Sequence, residues 1–337
     1  MDLQTIWFVL ITILFSGFFV LEGFDYGVGI LLPFAGKTDA ERRLIINTIG
    51  PLWDGNEVWL ITAGGAMFAA FPSWYATLFS GYYLALFLIL LALIIRGVAF
   101  EFRSKDDRPG WRQFWDWAIF IGSSVPAFLW GVAVADFIRG VPIGAGMQYI
   151  GTFFDLLSPY ALMGGFLTLS VFILHGGLFL NLKTDGVVHD RVEQVTRSAW
   201  VPVLVLVIAF AALSATQTDL YATFSWVKVA ALAMTLIALL LVAVLIRRKR
   251  FGLAFTGTAI MLVSITVLVF ASMYPRVMPS SLGAEYDLTI YNASSSPYTL
   301  HVMTIIALTL VPVVIAYQGW SYWIFRKRLT TQSHLEY

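Results

Sequence analysis

The sequence predicts an all-α integral membrane protein of nine transmembrane helices, arranged as two four-helix bundles plus one peripheral helix. Three observations predict it. Of 337 residues, 59% are hydrophobic and 12% charged, about half the charged share of a soluble domain. Mean hydropathy is +0.81. Nine stretches approach the roughly 20 apolar residues that a spanning helix needs, and basic residues crowd into alternate connections between them.

The stretches lie at about 5–32, 54–71, 75–102, 114–138, 158–182, 198–216, 226–246, 252–274 and 299–325. No basic run precedes the first stretch and no small-residue cleavage site follows it, so it reads as a retained span. Seventeen of the 21 basic residues fall in connections 33–53, 103–113, 183–197 and 247–251 or after the last span. The opposite connections hold Arg139 and Arg276, and Arg96 and Lys228 lie within spans. The positive-inside rule then places the N-terminus outside and the C-terminus in the cytoplasm. An odd number of spans agrees.

Domain organisation follows from the order of spans and loops. Residues 1–138 form a first four-helix bundle and 158–274 a second. External loops 139–157 and 275–298 follow them, and 299–337 supply the ninth helix and a cytoplasmic tail. The tripeptide Asn292-Ala293-Ser294 matches a glycosylation acceptor, a pattern too short to carry weight.

Composition excludes several functions. A net charge of +1 gives no field to attract nucleic acid. With no cysteine there are no disulfides, iron–sulfur clusters, thiolate haem ligands or cysteine nucleophiles. No zinc-protease helix, phosphate-binding loop, dinucleotide fingerprint or serine elbow occurs. Of four histidines, His189 and His334 are cytoplasmic, His301 is near an outer end, and His175 alone lies deep in a span. A lone buried histidine reads as a satisfied polar residue before it reads as a haem or metal ligand.

Charge at membrane depth is costly and usually serves a purpose. Here it is one-sided. Glu22 and Asp25 sit in the inner half of span one, Asp54 and Glu57 at the start of span two. Arg96 and Glu101 end span three, and Asp116 opens span four. Only Asp136 lies toward the outer rim of these spans. Glu22 and Asp25 are i,i+3 and share a helix face, as do Asp54 and Glu57. The second pair also fits a capping box, Asp54 as N-cap and Glu57 at N3. Arg96 and Glu101 fit an ion pair snorkelling to the inner interface. Glu22 has no such local explanation, which favours a proton or cation path. Gly23, Gly27 and Gly29 around it suit close helix packing. From the residues alone, a secondary transporter and a purely structural anchor are the rival functions. The charge-poor spans five to eight weigh against a central substrate site in a transporter.

Several segments carry a resemblance together. They are Gly23-Phe24-Asp25 with Gly27-Val28-Gly29, Glu41-Arg42-Arg43, and Pro51-Leu52-Trp53-Asp54-Gly55-Asn56-Glu57-Val58-Trp59-Leu60. Arg96-Gly97-Val98-Ala99-Phe100-Glu101-Phe102-Arg103 and Trp115-Asp116-Trp117 before Gly122-Ser123 follow. Met278-Pro279-Ser280-Ser281-Leu282, Asp287-Leu288-Thr289 and Asn292-Ala293-Ser294-Ser295 complete the set. From the first span to the last, the chain resembles subunit II of the cytochrome bd-type quinol oxidases.

The resemblance implies a bacterial plasma-membrane heterodimer with a larger subunit I. That partner would carry b-type haems and a d-type haem, oxidise quinol at the outer face and reduce oxygen to water. Subunit II would bind no haem, stabilise the complex and offer a cytoplasmic proton path. That path would be marked by Asp54, with Glu22 and Asp25 in the same polar region, and lined by Glu57, Glu101 and Asp116 beside Arg96. Family members often carry Asp at the place of Glu22. The resemblance also admits a structural quinone and a small single-span accessory subunit.

Overall fold

The computed structural model describes residues 2–333 and residue 335, so His334 lies outside the described residues. Eleven α-helices are present among the described residues: α1 (Leu3–Ala35), α2 (Asp39–Ile49), α3 (Trp53–Ala70), α4 (Pro72–Gly81), α5 (Tyr83–Phe102), α6 (Pro109–Arg139), α7 (Pro159–Lys183), α8 (Val187–Gln217), α9 (Trp226–Arg247), α10 (Phe251–Met273) and α11 (Pro297–Ile324). Eight of them, α1 and α5 to α11, are long and apolar enough to cross a membrane. The sequence predicts nine. The difference is α3, which has only 18 residues and begins with Asp54 and Glu57 inside it.

Local sequence explains where the helices start. Asp2, Ser158 and Ser296 each accept a hydrogen bond from a backbone N–H three residues on, which caps α1, α7 and α11. Pro159 and Pro297 then occupy the first helical turn, where no N–H is needed. The connection read as loop 33–53 contains α2, closed by a capping box between Thr38 and Glu41. The expected start of α8 at 198 moves back to Val187, because about three polar, amphipathic turns precede the apolar run. The stretch 75–102 is not one helix. It breaks at Tyr82, the junction of α4 and α5.

Helix α1 is the hub and packs against α3, α6, α7 and α10. One hydrophobic cluster accordingly runs through α1, α3, α6, α7, α9 and α10. Helix–helix association in lipid relies on close packing rather than on a hydrophobic drive, and glycines supply it. A Cβ on Gly27 would lie 1.9 Å from the Phe172 carbonyl oxygen, and one on Gly131 2.3 Å from that of Gly164. Gly23 and Gly29 meet Phe172 and Ser123 as closely, so the packing role read from sequence holds for all three glycines. Helix α11 packs on α1 and α3 and buries only Leu300 among its residues.

The two long connections dock on each other. Strands β1 (Ile143–Gly144) and β2 (Gln148–Tyr149) form one hairpin, β3 (Arg276–Met278) and β4 (Leu288–Thr289) another. Val141 bridges to Ser280, whose hydroxyl donates to the Ile143 carbonyl at 2.7 Å. Asn292 is used inside its own turn. Its Oδ1 accepts from Thr289 N, and its Nδ2 donates to the Asp287 carbonyl.

Candidate proton-transfer site

Helix α6 sets the geometry of the buried charge. Its Gly122 lets the α5 backbone approach at Arg96, since a Cβ there would meet Arg96 Cβ and the Ala92 carbonyl at 2.7 Å. The next residue, Ser123, fills the space left by Gly29 of α1. Arg96 is thereby fixed beside α1, and both it and Glu22 are fully buried. Its Nη2 lies 2.5 Å from Glu22 Oε1 and 3.8 Å from Glu57 Oε2. The Tyr26 ring sits 4.9 Å from the guanidinium carbon, a cation–π contact.

Arg96 does not pair with Glu101. Residues five apart on a helix point in different directions, whereas i,i+3 and i,i+4 residues share a face. Arg96 therefore turns inward to Glu22, and Glu101 is exposed.

Asp54 is not an N-cap. Helix α3 starts at Trp53 with Leu52 as its N-cap and no capping side chain. Asp54 is the second helical residue, exposed and in the first turn, where its charge still opposes the helix dipole. Glu57, one turn further, reaches toward Arg96 instead of closing a capping box.

Asp25 is fully buried and accepts from Asn56 Nδ2 at 2.7 Å. Asn56 Oδ1 accepts in turn from Tyr322 Oη at 2.7 Å and Gln318 Nε2 at 3.2 Å. Gln318 Oε1 accepts from Trp59 Nε1 at 2.7 Å. This chain ties α1 and α3 to α11. Asn56, Gln318 and Tyr322 are not among the residues the sequence singles out for the site. The available signal was an amide in the midst of an apolar stretch, which is costly unless bonded.

A cavity of about 640 Å³ lies between α3 and α11. Asp54 and Glu101 line it together with Asn56, Gln318, Ser321 and Tyr322. It thus links exposed carboxylates to the amide that holds Asp25. Among the described residues, several buried atoms nearby have no hydrogen-bond partner: Asp25 Oδ1, Tyr26 Oη, Glu57 Oε2, and Arg96 Nε and Nη1.

Asp116 belongs to a different network. It accepts from Arg103 Nε at 2.5 Å and Arg42 Nη1 at 2.8 Å. Asp39 binds Arg103 and Arg112, both at 2.9 Å. These pairs clamp α2 onto α6 and the turn before it. Glu41 clamps the other side of α2 through a bidentate pair with Arg191, at 2.7 and 3.0 Å.

The Arg191 hydrogen bonds, with backbone donors Lys37 and Thr38, lower the Glu41 pKa from its ordinary 4.5 to about 2. A carboxyl depressed on folding stabilises the fold above its unfolded pKa and loses that effect as pH falls toward the folded value. Glu41→Gln should therefore melt below wild type at neutral pH, and the gap should start to close as pH drops through 4.5. Thermal unfolding of the detergent-solubilised complex at stepped pH measures this. A gap that widens with acid contradicts it.

His175 is fully buried, with Nδ1 2.6 Å from Thr258 Oγ1 and Nε2 3.0 Å from the Val20 carbonyl oxygen. Both ring nitrogens are engaged, so the residue does not fit an axial haem ligand. Among the described residues, no three His, Asp or Glu converge as a metal site.

Comparison with known proteins shows the family. The profile of the cytochrome bd terminal oxidase subunit II family matches residues 3–325. Cytochrome bd ubiquinol oxidase subunit 2 of Bacillus subtilis (strain 168) is 46% identical over 336 residues, covering 100% of this chain and 99% of that protein. Cytochrome bd-I ubiquinol oxidase subunit 2 of Escherichia coli (strain K12) is 38% identical over 366 residues, covering 98% and 96%. A solved chain of the bd oxidase from Geobacillus thermodenitrificans superposes with a TM-score of 0.80 at 16% identity, covering 96% of this chain and 99% of that one. That last likeness is one of fold. With the profile spanning nearly every helix and relatives matching end to end, the chain belongs to the cytochrome bd terminal oxidase subunit II family.

Proposed function

We propose that this chain is the haem-free subunit of a quinol:oxygen oxidoreductase and supplies the cytoplasmic proton path to a haem-bearing subunit I. Family membership supports the oxidase role and removes the transporter reading. The b-type and d-type haems belong to the partner, because the one deep histidine here spends both nitrogens on its own fold. The chain crosses the membrane nine times with α3 as the short span, its N-terminus outside and its basic connections in the cytoplasm. It divides into four spans, four spans and the peripheral α11.

One observation carries the proton path. The cavity lined by the exposed Asp54 and Glu101 also reaches Asn56, whose amide holds the buried Asp25. Protons gather at Asp54 and Glu101, cross the cavity, and reach Asp25 directly or Glu22 through Glu57. Two carboxyl groups, Glu22 and Glu57, share the single guanidinium of Arg96, so proton occupancy there can change without moving the backbone. The unpartnered atoms of Tyr26, Glu57 and Arg96 suit water molecules linking the steps. Asp116 stands outside the route and acts as an anchor for α2. Inward proton uptake against outward release from quinol stores about 2.3 kcal/mol per charge per 100 mV.

One apolar groove that a structural quinone could occupy, about 740 Å³, lies between α1 and α10. Its quinone carbonyls would need donors, yet the Thr12 and Ser16 hydroxyls already donate to the Phe8 and Thr12 carbonyls. The largely apolar lining suits a hydrocarbon chain.

Mild purification through a tag on this chain, followed by a reduced-minus-oxidised spectrum, tests the oxidase role. The expected result is a co-purifying larger subunit with b- and d-type haem bands. A folded, colourless, partner-free protein overturns it.

A further inference from the structure

Four consecutive cations, Arg247 to Arg250, turn the chain from α9 into α10. Lys249 adopts φ +56°, which tightens the turn. The tail comes back to meet it. Leu329 N donates to the Lys183 carbonyl at 2.8 Å, and Thr184 bridges to Leu329. Arg328 thereby arrives beside residues more than seventy positions earlier. The result is a cavity of about 280 Å³ rimmed by Lys249, Arg250 and Arg328 over an apolar floor of Leu182, Phe251 and Leu253.

The rim is held in place on one side and open on the other. Glu193 steadies Lys249 at 3.2 Å, and Asp185 steadies Arg328 at 2.5 Å. Arg250 has no ion pair among the described residues, and α10 begins with no side-chain cap for its first-turn N–H groups. An uncapped helix start and a free guanidinium favour the same ligand, an anion. From the floor, Leu253, Ile260 and Val263 continue as an exposed apolar stripe along α10, the one-face spacing of a helix. A cationic rim at the membrane surface with an apolar track leading away from it matches an amphiphile with an anionic head.

We propose that this cavity binds the phosphate-ester headgroup of an anionic membrane lipid, with an acyl chain lying on the exposed face of α10. The cavity holds one headgroup, being at the low end of ligand pockets. Basic pockets on the cytoplasmic side of spanning helices recognise such heads by charge. No residue that lines this cavity lines the one between α3 and α11, so the proposal does not rest on the proton path.

Native mass spectrometry of the intact complex, titrated with phosphatidylglycerol in detergent, tests this. One adduct should saturate ahead of the rest. Arg250→Gln combined with Arg328→Gln should weaken it roughly thirtyfold, the effect of removing two interfacial cations. Arg250→Gln alone, at an exposed and unpaired side chain, should weaken it several-fold and covers the case in which the double variant fails to assemble. Arg247→Gln combined with Arg248→Gln, outside the cavity, should leave it intact. Undiminished binding by the cavity variants, or equal loss in the control pair, overturns the proposal. Displacement of the lipid by equimolar inorganic phosphate shows a free-anion site and overturns the lipid assignment.

Discussion

Arg96→Met should cost the complex about 3–5 kcal/mol, the penalty for leaving one member of a buried pair without its partner. Arg96 is fully buried, 2.5 Å from a Glu22 that is equally buried. Methionine matches the volume of the side chain but offers no charge. Assembled complex should fall sharply in yield and melt early. The informative variant is the double one. Arg96→Met with Glu22→Gln removes both charges, and replacing a buried pair by neutral groups is often nearly neutral in stability. The double variant should therefore regain most of the lost stability, read by thermal unfolding in detergent. If the single variant is as stable as wild type, the pair does not hold α5 to α1.

Gly27→Val should be comparably damaging for a steric reason. Its Cβ would sit 1.9 Å from the Phe172 carbonyl oxygen and 2.9 Å from Gly176 Cα. Both obstacles are backbone, so no side chain can swing away, and α1 and α7 must separate. Overpacking of this kind costs roughly 1–3 kcal/mol, occasionally more. Because α1 carries Glu22 and Asp25, the shift also moves them away from α3 and α5. The expected result is lost assembly at normal expression. Gly110→Ala is the control, with nothing within 4 Å of its new Cβ. It should be neutral or gain up to about 1 kcal/mol of helix propensity. Equal stability for both variants would show that α1 and α7 are not seated by their glycines.

Some of this was legible in the sequence, for physical reasons that differ by residue. Long apolar runs announce themselves, so α7, α9, α10 and α11 start and stop within two residues of expectation. The amphipathic α2 was lost inside a loop, although Thr38 and Glu41 carried its capping box. Glu22 and Asp25, both buried, stand out in the sequence because carboxyl groups at depth are costly wherever they occur. Their partners were harder. Arg96 pairs across helices and not with Glu101 on its own helix, and only tertiary packing around Gly122 decides that. Gln318 and Tyr322 lie some 260 residues from Asn56 in the chain, so no local spacing links them. Asp116 was grouped with the buried acids by depth alone, and Arg103 and Arg42 draw it elsewhere.

The central claim is that Asp54 passes protons inward and does not merely support α3. The most direct measurement is oxygen consumption per haem by purified Asp54→Asn complex, with Asp116→Asn in parallel. Asp54 is exposed and makes no capping bond, so its amide variant should assemble with normal haem content. Turnover should nonetheless slow by on the order of tenfold or more, the scale of a lost positioned proton donor. Asp116→Asn should do the reverse, lowering yield and stability while turnover per haem is kept. Full turnover in assembled Asp54→Asn, or a loss of haem that accounts for all of its lost activity, would contradict the proton path.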